Sequence, residues 1–377
     1  MAWVLAGEQN SCYTRYMKKP NTETDTHTNN NQAQAAKQYR QIKLGIDVHA
    51  DSYRVVRQID SATPQPAQKF TPAEFIKFAR KQLTLSQEVY SCYEAGPFGY
   101  GLHRELLKMG IHNVVVRPQN WDELGRGVKT DKTDALALVQ RLDRYVQGND
   151  KALAKVTVPT LEQEQARAQS RHREQLQKDR QSHEAQGRSL LLYQGHRVRG
   201  QWWKERAWER LKGTLSPWLV PILENLRRLI LTADGLLEGL DREIERQAPT
   251  QPKGFGRWTT QLIGREVLDW HRFGNRRQVA SLTGMCPGVR ASGPRSVSGS
   301  INKHGNPRLR RALVELAWRA VRFQPRYGPV VRWKPVLAQT QNRGARKKAI
   351  VAIGRRLAID LWRLHTGRCT AQDLNLI

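Results

Sequence analysis

Between Gln41 and Tyr145, short apolar runs alternate with helical ones, and this alternation restricts the fold more than any other feature of the chain. Gln41-Ile42-Lys43-Leu44-Gly45-Ile46-Asp47-Val48-His49 has strand character and carries an acid near its end. Ser52 to Ile59 reads as its hairpin partner, joined through Ala50-Asp51. Thr71 to Leu83 predicts a short helix with Phe75, Phe78 and Leu83 turned inward. Glu88 to Glu94 is a second strand ending in an acid, followed by the turn Ala95-Gly96-Pro97-Phe98-Gly99. Tyr100 to Met109 predicts a helix closed by Gly110, and Ile111 to Pro118 a buried strand. After a loop carrying Trp121, a helix runs from Asp131 to about Tyr145. The order predicts an α/β sheet with helices on it, where sites form at strand ends. Asp47 and Glu94 both fall at such ends.

The last of these helices opens Asp131-Lys132-Thr133-Asp134, and carboxylates three residues apart share a helix face. Two readings stand. The pair can simply complement the helix dipole. Alternatively, it joins Asp47 and Glu94 around one crevice. Four neighbouring carboxylates stay ionised together only with a cation between them. Hard oxygen donors suit Mg²⁺ or Mn²⁺, and two such ions about 4 Å apart can clamp a phosphodiester.

Charge selects the partner. The chain of 377 residues has 63 Lys and Arg against 34 Asp and Glu, a formal net charge of +29. Such a field attracts polyanions, so DNA or RNA is the expected partner. No long uncharged apolar run offers a bilayer span, which argues against a membrane. Cys12, Cys92, Cys286 and Cys369 lack metal-ligand spacing, and Met1 to Ala6 is too short for a signal peptide. A cytoplasmic, nucleoid-associated protein without zinc or disulfides is expected. The 11 Trp fit either core packing or stacking on bases.

The remainder divides by composition. Residues 1–40 read as a disordered or extended arm, 41–150 as the α/β domain, 151–248 as a helical region and 249–377 as a basic helical domain. Residues 160–215 have apolar positions too sparse for a packed core and predict an exposed helical spacer. Leu219, Ile222, Leu226, Leu229, Ala233, Leu237, Leu240 and Ile244 then repeat at steps of three and four. They fit an inter-subunit coiled coil and a helix packed on its own domain equally. Helices are predicted at Trp258–Ile263, at Arg276–Thr283, from an Asn306 cap with Pro307 through Leu309, Leu313, Leu316 and Ala320, and at Ala345–Leu364. A Gly/Ser/Arg loop is expected from Pro287 to Asn306.

That loop reads Arg290-Ala291-Ser292-Gly293-Pro294-Arg295-Ser296-Val297-Ser298-Gly299-Ser300-Ile301-Asn302-Lys303-His304-Gly305. Serines among cations before a capped helix can grip phosphate. One of them can also attack phosphorus as a nucleophile.

Gly45-Ile46-Asp47-Val48, Tyr93-Glu94-Ala95-Gly96 and Lys129-Thr130-Asp131-Lys132-Thr133-Asp134-Ala135 together resemble the DEDD transposases of bacterial insertion sequences, closest to family one-ten and its eleven-eleven subgroup. Phe273 to Gly284, Ser292-Gly293, Lys303-His304-Gly305-Asn306 and Leu309-Arg310-Arg311-Ala312-Leu313 resemble that family's C-terminal domain. Where the family often has a Pro-Gly-Ile-Gly run, this chain has Lys253-Gly254-Phe255-Gly256-Arg257. The resemblance implies a ribonuclease H-like (RuvC-like) domain, a coiled-coil spacer and a helical transposase domain. It implies a DNA recombinase guided by a structured RNA, the bridge RNA, encoded beside its own gene. Asp47, Glu94, Asp131 and Asp134 would hold Mg²⁺, and Ser292 would form a covalent link to DNA. The resemblance also implies strand exchange between donor and target DNA, in a site shared by two subunits of a tetramer.

On this reading Lys129, Arg290, Arg295, Lys303, His304, Arg308 and Arg311 contact nucleic acid. Two rival readings are a metal-dependent junction nuclease that uses water, with the serine loop only binding phosphate, and a non-enzymatic RNA- or DNA-binding protein.

Overall fold

A computed structural model describes residues 38–118, 131–246, 251–292, 295–339 and 341–376. Nearly all of the expected N-terminal arm, the loop with Trp121, and Lys129 lie outside them. The chain divides into two compact units, Met1–Val158 and Pro159–Ile377.

In the first unit, strands β1 (Tyr39–Val48), β2 (Tyr53–Ile59), β3 (Gln68–Phe70), β4 (Ser86–Glu94) and β5 (His112–Val116) form one sheet in the order β3-β2-β1-β4-β5. β1 to β3 pair antiparallel, whereas β1, β4 and β5 run parallel. Helices α1 (Pro72–Leu85), α2 (Gly101–Lys108) and α3 (Asp131–Val146) complete it. Thr71 starts α1 with a reciprocal capping box to Glu74, and Gly110 ends α2 at φ +90°. Strand periodicity divides the core in two. Ile42, Leu44, Ile46, Val89 and Tyr93 pack with Phe75, Ala79 and Leu106 on one face. On the opposite face Cys92 and Val116 meet Leu138 and Leu142, and Val56 meets Ala135 and Val139. The strands and helices expected up to Tyr145 are all present; β3, only three residues long, gives too little pattern to be read.

The second unit departs more from expectation. Helix α4 (Leu161–Tyr193) pairs with α6 (Leu219–Arg246), with α5 (Glu205–Lys212) between them in sequence. Arg173 binds Asp241 and Arg180 binds Asp234, so the two helices run antiparallel. Residues 160–215 are helical as expected, but not coreless. Trp202, Trp203 and Trp208 are buried with Leu191, Leu219, Leu223, Leu226 and Ile230. Three indoles supply the apolar volume that many aliphatic residues would otherwise give. Gly187 makes room for them, because a Cβ there would stand under 3.0 Å from the Trp202 ring.

The α6 stripe is likewise shifted. Ile222 and Leu229 are 40% and 50% exposed, while Leu223 and Ile230 take the inward places. Its buried positions serve a helix pair within the chain.

The basic region holds α7 (Arg257–Val267), α8 (Arg276–Thr283), α9 (Pro307–Phe323), α10 (Gly328–Ala338) and α11 (Arg343–His365). Between α8 and α9 the expected loop is instead a hairpin, β6 (Pro287–Ser292) with β7 (Arg295–Ile301). Its Gly and Ser content hid the strand character, since the cross-strand pairing runs through backbone groups that every non-proline residue supplies. Beneath it, Leu309, Leu313 and Leu316 of α9 pack with Ile350, Ile353 and Leu357 of α11. Asp360, 1% exposed, accepts bonds from Tyr327 Oη (2.9 Å), Arg356 Nε (2.9 Å) and Arg363 Nη1 (3.1 Å). A buried carboxylate is tolerated only when so fully paired. Among the described residues no helix is long and apolar enough to cross a membrane.

Candidate active site and nucleic-acid interface

Alternation along β1 puts Lys43, Gly45 and Asp47 on the face that α3 covers. A Cβ on Gly45 would stand under 3.0 Å from Ala135 O and Val139 N, so helix and strand touch backbone to backbone there. One helical turn further on, Lys43 Nζ, 2% exposed, lies 2.6 Å from Asp143 Oδ1 and donates to Asp60 O at 2.7 Å. The helix therefore runs antiparallel to β1, and its first turn stands at the Asp47 end.

Glu94 reaches the same corner along β4. Cys92 Sγ is 3.5 Å from Leu138 O, so Cys92 and Glu94, two residues on, share the α3 face. Burial, reinforced by the nearby Glu94 carboxylate, pushes the Cys92 thiol far above its usual range. The parallel pair Ile46↔Tyr93 brings Asp47 beside Glu94 across the two strand ends. Asp134 sits half-buried in the first turn of α3, and Asp131 begins that helix; the Asp131 side chain lies outside the description. Among the described residues, no three of His, Cys, Asp and Glu stand close enough to cage a metal ion. The donor chemistry, all carboxylate oxygen, fits a hard divalent ion rather than zinc. His49 was not anticipated: its Nε2 lies 3.1 Å from Asp47 Oδ2. The acid-x-His spacing in the strand was its only signal.

The serine segment is organised differently. Ser292 faces Arg295 on the last rung of the β6–β7 hairpin, across residues 293 and 294. Side chains at 289–296 and 298, including Arg290, Ser292, Arg295, Ser296 and Ser298, are outside the description, whereas Val297 is 64% exposed. The hairpin is anchored by the Lys303-His304-Gly305-Asn306 segment. Asn302 N donates to Cys286 O (2.8 Å), Lys303 N to Gly284 O (3.1 Å) and Asn306 N to Leu282 O (2.7 Å). Lys303 holds φ +59°, and Arg310 Nη1 ties its carbonyl at 3.2 Å. Gly305 is forced: a Cβ would come under 3.0 Å from Gly284 N and Leu282 O. Asn306 Oδ1 caps α9 through Arg308 N (2.9 Å) and Leu309 N (3.2 Å), while its Nδ2 donates to buried Glu266 at 2.6 Å. The motif thus fixes the hairpin base. Lys303 and His304 remain exposed on it.

Arg308 and Arg311, expected on DNA, pair with Glu174 of α4. Arg308 Nε donates to its Oε2 at 2.9 Å and Arg311 Nη2 binds its Oε1. Glu174 is only 10% exposed, and its two oxygens each take one of the partly exposed guanidinium groups. Replacing Glu174 by Gln frees two guanidinium groups without changing shape. Affinity for duplex DNA is expected to rise, and the slope of log K against log salt to steepen by up to about 0.9 for each released cation. Fluorescence anisotropy across a salt series checks this; an unchanged slope would mean the arginines never reach phosphate.

Comparison with known proteins gives this geometry its context. Residues 250–330 match the family model described as Transposase IS116/IS110/IS902 family. The y4rJ protein of Sinorhizobium fredii, named as a transposase, is 32% identical over 298 residues, covering 72% of this chain and 75% of that protein. The transposase for insertion sequence element IS1111A of Coxiella burnetii is 26% identical, over 71% and 76% of the two chains. The transposase for IS1533 of Leptospira borgpetersenii is 23% identical, over 74% and 85%. Identity at that level, over more than two thirds of the chain, carries the DNA-transposing activity with it. This chain belongs to the IS116/IS110/IS902 family of transposases.

Proposed function

We propose that this transposase cuts and rejoins DNA through a covalent serine–DNA intermediate, guided by a structured RNA. Asp47, Glu94, Asp131 and Asp134 would hold Mg²⁺ or Mn²⁺ beside the scissile phosphate. The observation that carries the metal part is the shared corner. Asp47 and Glu94 end adjacent parallel strands on the face that α3 covers, and α3 starts at that same end with Asp131 and Asp134. The order β3-β2-β1-β4-β5, with β2 antiparallel, supports a ribonuclease H-like assignment for this unit. A bound divalent ion would neutralise charge on the phosphoryl oxygens.

The rest is done by the chain. Ser292 Oγ attacks phosphorus, the serine–phosphate bond forms, and the bond from phosphorus to one deoxyribose oxygen breaks. The serine proton passes to a nearby base or water, and the released sugar oxygen takes up a proton. One phosphodiester replaces another, so reversal onto a second strand needs no external energy source. Arg290, Arg295, Lys303 and His304, all on or beside the hairpin, would align the phosphate. Lys129, Arg308 and Arg311 would contact nucleic acid further out. The resemblance favours a tetramer in which the serine of one subunit meets the acids of another.

Asp47→Asn, Glu94→Gln and Asp131→Ala are each expected to lower strand cleavage by at least about 10²-fold, the typical loss for one preorganised electrostatic group. Circular dichroism should be unchanged. Cleavage at parental rate in these variants would remove the acids from the chemistry. Sequencing nucleic acid that co-purifies with the chain tests guidance: a single RNA from the flank of its own gene is expected, and random cellular RNA would oppose it.

A further inference from the structure

A hollow of about 710 Å³ lies between the start of α7 and the last turns of α9. Gly254, Gly256, Arg257, Trp318, Arg319 and Arg322 line it. Its walls are built by close approach. Gly254 turns at φ +83°, and a Cβ there would stand under 3.0 Å from the Phe323 ring. A Cβ on Gly256 would stand equally close to the Arg319 guanidinium. Gln324 Nε2 fastens the turn by donating to Lys253 O at 2.7 Å. A side chain at Gly254 would press on Phe323 of α9, and one at Gly256 would displace the Arg319 guanidinium from its place in the wall.

What this site presents is specific. Trp318 is 42% exposed, leaving much of its indole in solvent. Around it are three guanidinium groups. Arg319 is also engaged by Glu315, 3.6 Å away and half-exposed, and Arg322 lies over the Phe323 ring at 5.2 Å. Gly256 caps α7 without a side-chain acceptor, which adds the positive pole of that helix to the wall. A duplex backbone could use the cations but has no use for the indole, because its base faces are already stacked. An unpaired nucleotide uses both, since its base stacks on an aromatic ring while its phosphates meet arginine. The volume suits one such unit, within the roughly 300–1,000 Å³ of small-ligand sites.

We propose that this hollow binds one unpaired nucleotide of a nucleic-acid strand, with Trp318 stacking the base and Arg257, Arg319 and Arg322 taking the flanking phosphates. The proposal rests on the nucleic-acid reading of the chain given above. RNA and single-stranded DNA share the chemistry, so the test separates them.

The full chain is titrated with labelled oligo-dT, oligo-rU and a blunt duplex of equal length. Trp318→Ala is expected to weaken single-strand binding by about tenfold, within the range for loss of one stacked base, and to leave duplex binding unchanged. Trp318→Phe should retain most of the affinity. The strand that suffers the larger loss identifies the source as RNA or DNA. Equal losses on single strand and duplex, or none, overturn the proposal. A measurement on the parent chain guards against misfolding of the variant: photocrosslinking to an iodouracil-substituted strand should label Trp318, and labelling confined to other tryptophans also overturns it. If the parent binds no oligonucleotide at all, the nucleic-acid reading falls with it. If the parent binds and Trp318→Ala binds equally well, only this site is lost.

Discussion

Ser292→Ala is expected to yield no covalent protein–DNA species on denaturing gels and no rejoined strands, while DNA binding persists. The expectation follows from what a hydroxyl supplies and a methyl cannot. The nucleophile forms the bond that holds the cut end, so its loss removes both product and intermediate rather than slowing one step. Ser300 cannot substitute by simple shift. Ser292 closes β6 on the last rung opposite Arg295, whereas Ser300 sits near the far end of β7, whose final residue Ile301 pairs with Pro287. With a rise of about 3.3 Å per residue, the two ends of such a hairpin are many ångströms apart. The rival chemistry, hydrolysis by water with the hairpin only gripping phosphate, gives a different pattern. It predicts cleaved but unjoined DNA in Ser292→Ala and full dependence on Asp131. An adduct that survives Ser292→Ala would mean another residue carries the DNA; cleavage without any adduct in the parent would favour the water mechanism.

Gly45→Ala should be nearly as damaging, though it touches no substrate. Its methyl would enter a space already occupied by the backbone of α3, at Ala135 O and Val139 N. Neither atom can rotate away, so strand and helix must separate. Overpacking of this kind costs about 1–3 kcal/mol, and more where only backbone can yield. Because α3 carries Asp131 and Asp134 at its start, its displacement also moves half of the acid set relative to Asp47 and Glu94. A shift near 1 Å at reacting groups costs about 10² in rate. Lower thermal stability together with a cleavage loss beyond that of the unfolded fraction is the expected pairing. Gly101→Ala is the control, since a Cβ there meets nothing within 4 Å. Activity and melting temperature matching the parent in Gly45→Ala would show that α3 is not held to β1 as described.

Much of this was legible in the residues because local chemistry decided it. Thr71 with Glu74, Gly110, and Asn306 with Pro307 mark helix ends by their own hydrogen bonds and backbone preferences. The alternation of Ile42, Leu44 and Ile46 with Lys43, Gly45 and Asp47 fixes which acids share a strand face before any partner is known. Where the sequence offered two apolar neighbours, it could not choose between them. Ile222–Leu223 and Leu229–Ile230 each satisfy a heptad, and the partner helix α4, salt-bridged through Arg173 and Arg180, selected the second of each pair. Sparse aliphatics between 160 and 215 concealed a core because its volume comes from three tryptophans, two of them in the turn before α5, that pack with α4 and α6 only after the chain folds back. Polar composition likewise concealed the β6–β7 hairpin, whose backbone pairing no apolar pattern marks.

By itself, then, the sequence determined the elements, the strand-end positions of Asp47 and Glu94, and the strongly cationic character that selects a polyanionic partner. Tertiary structure alone decided that α3 descends against β1, bringing its acidic start to those strand ends, because only contact at Gly45 and Lys43 sets the direction of a helix across a sheet. It also decided that Arg308 and Arg311 pair with Glu174, and that Trp318 opens onto a hollow ringed by arginines. Those outcomes depend on residues more than sixty positions apart, which no local periodicity encodes.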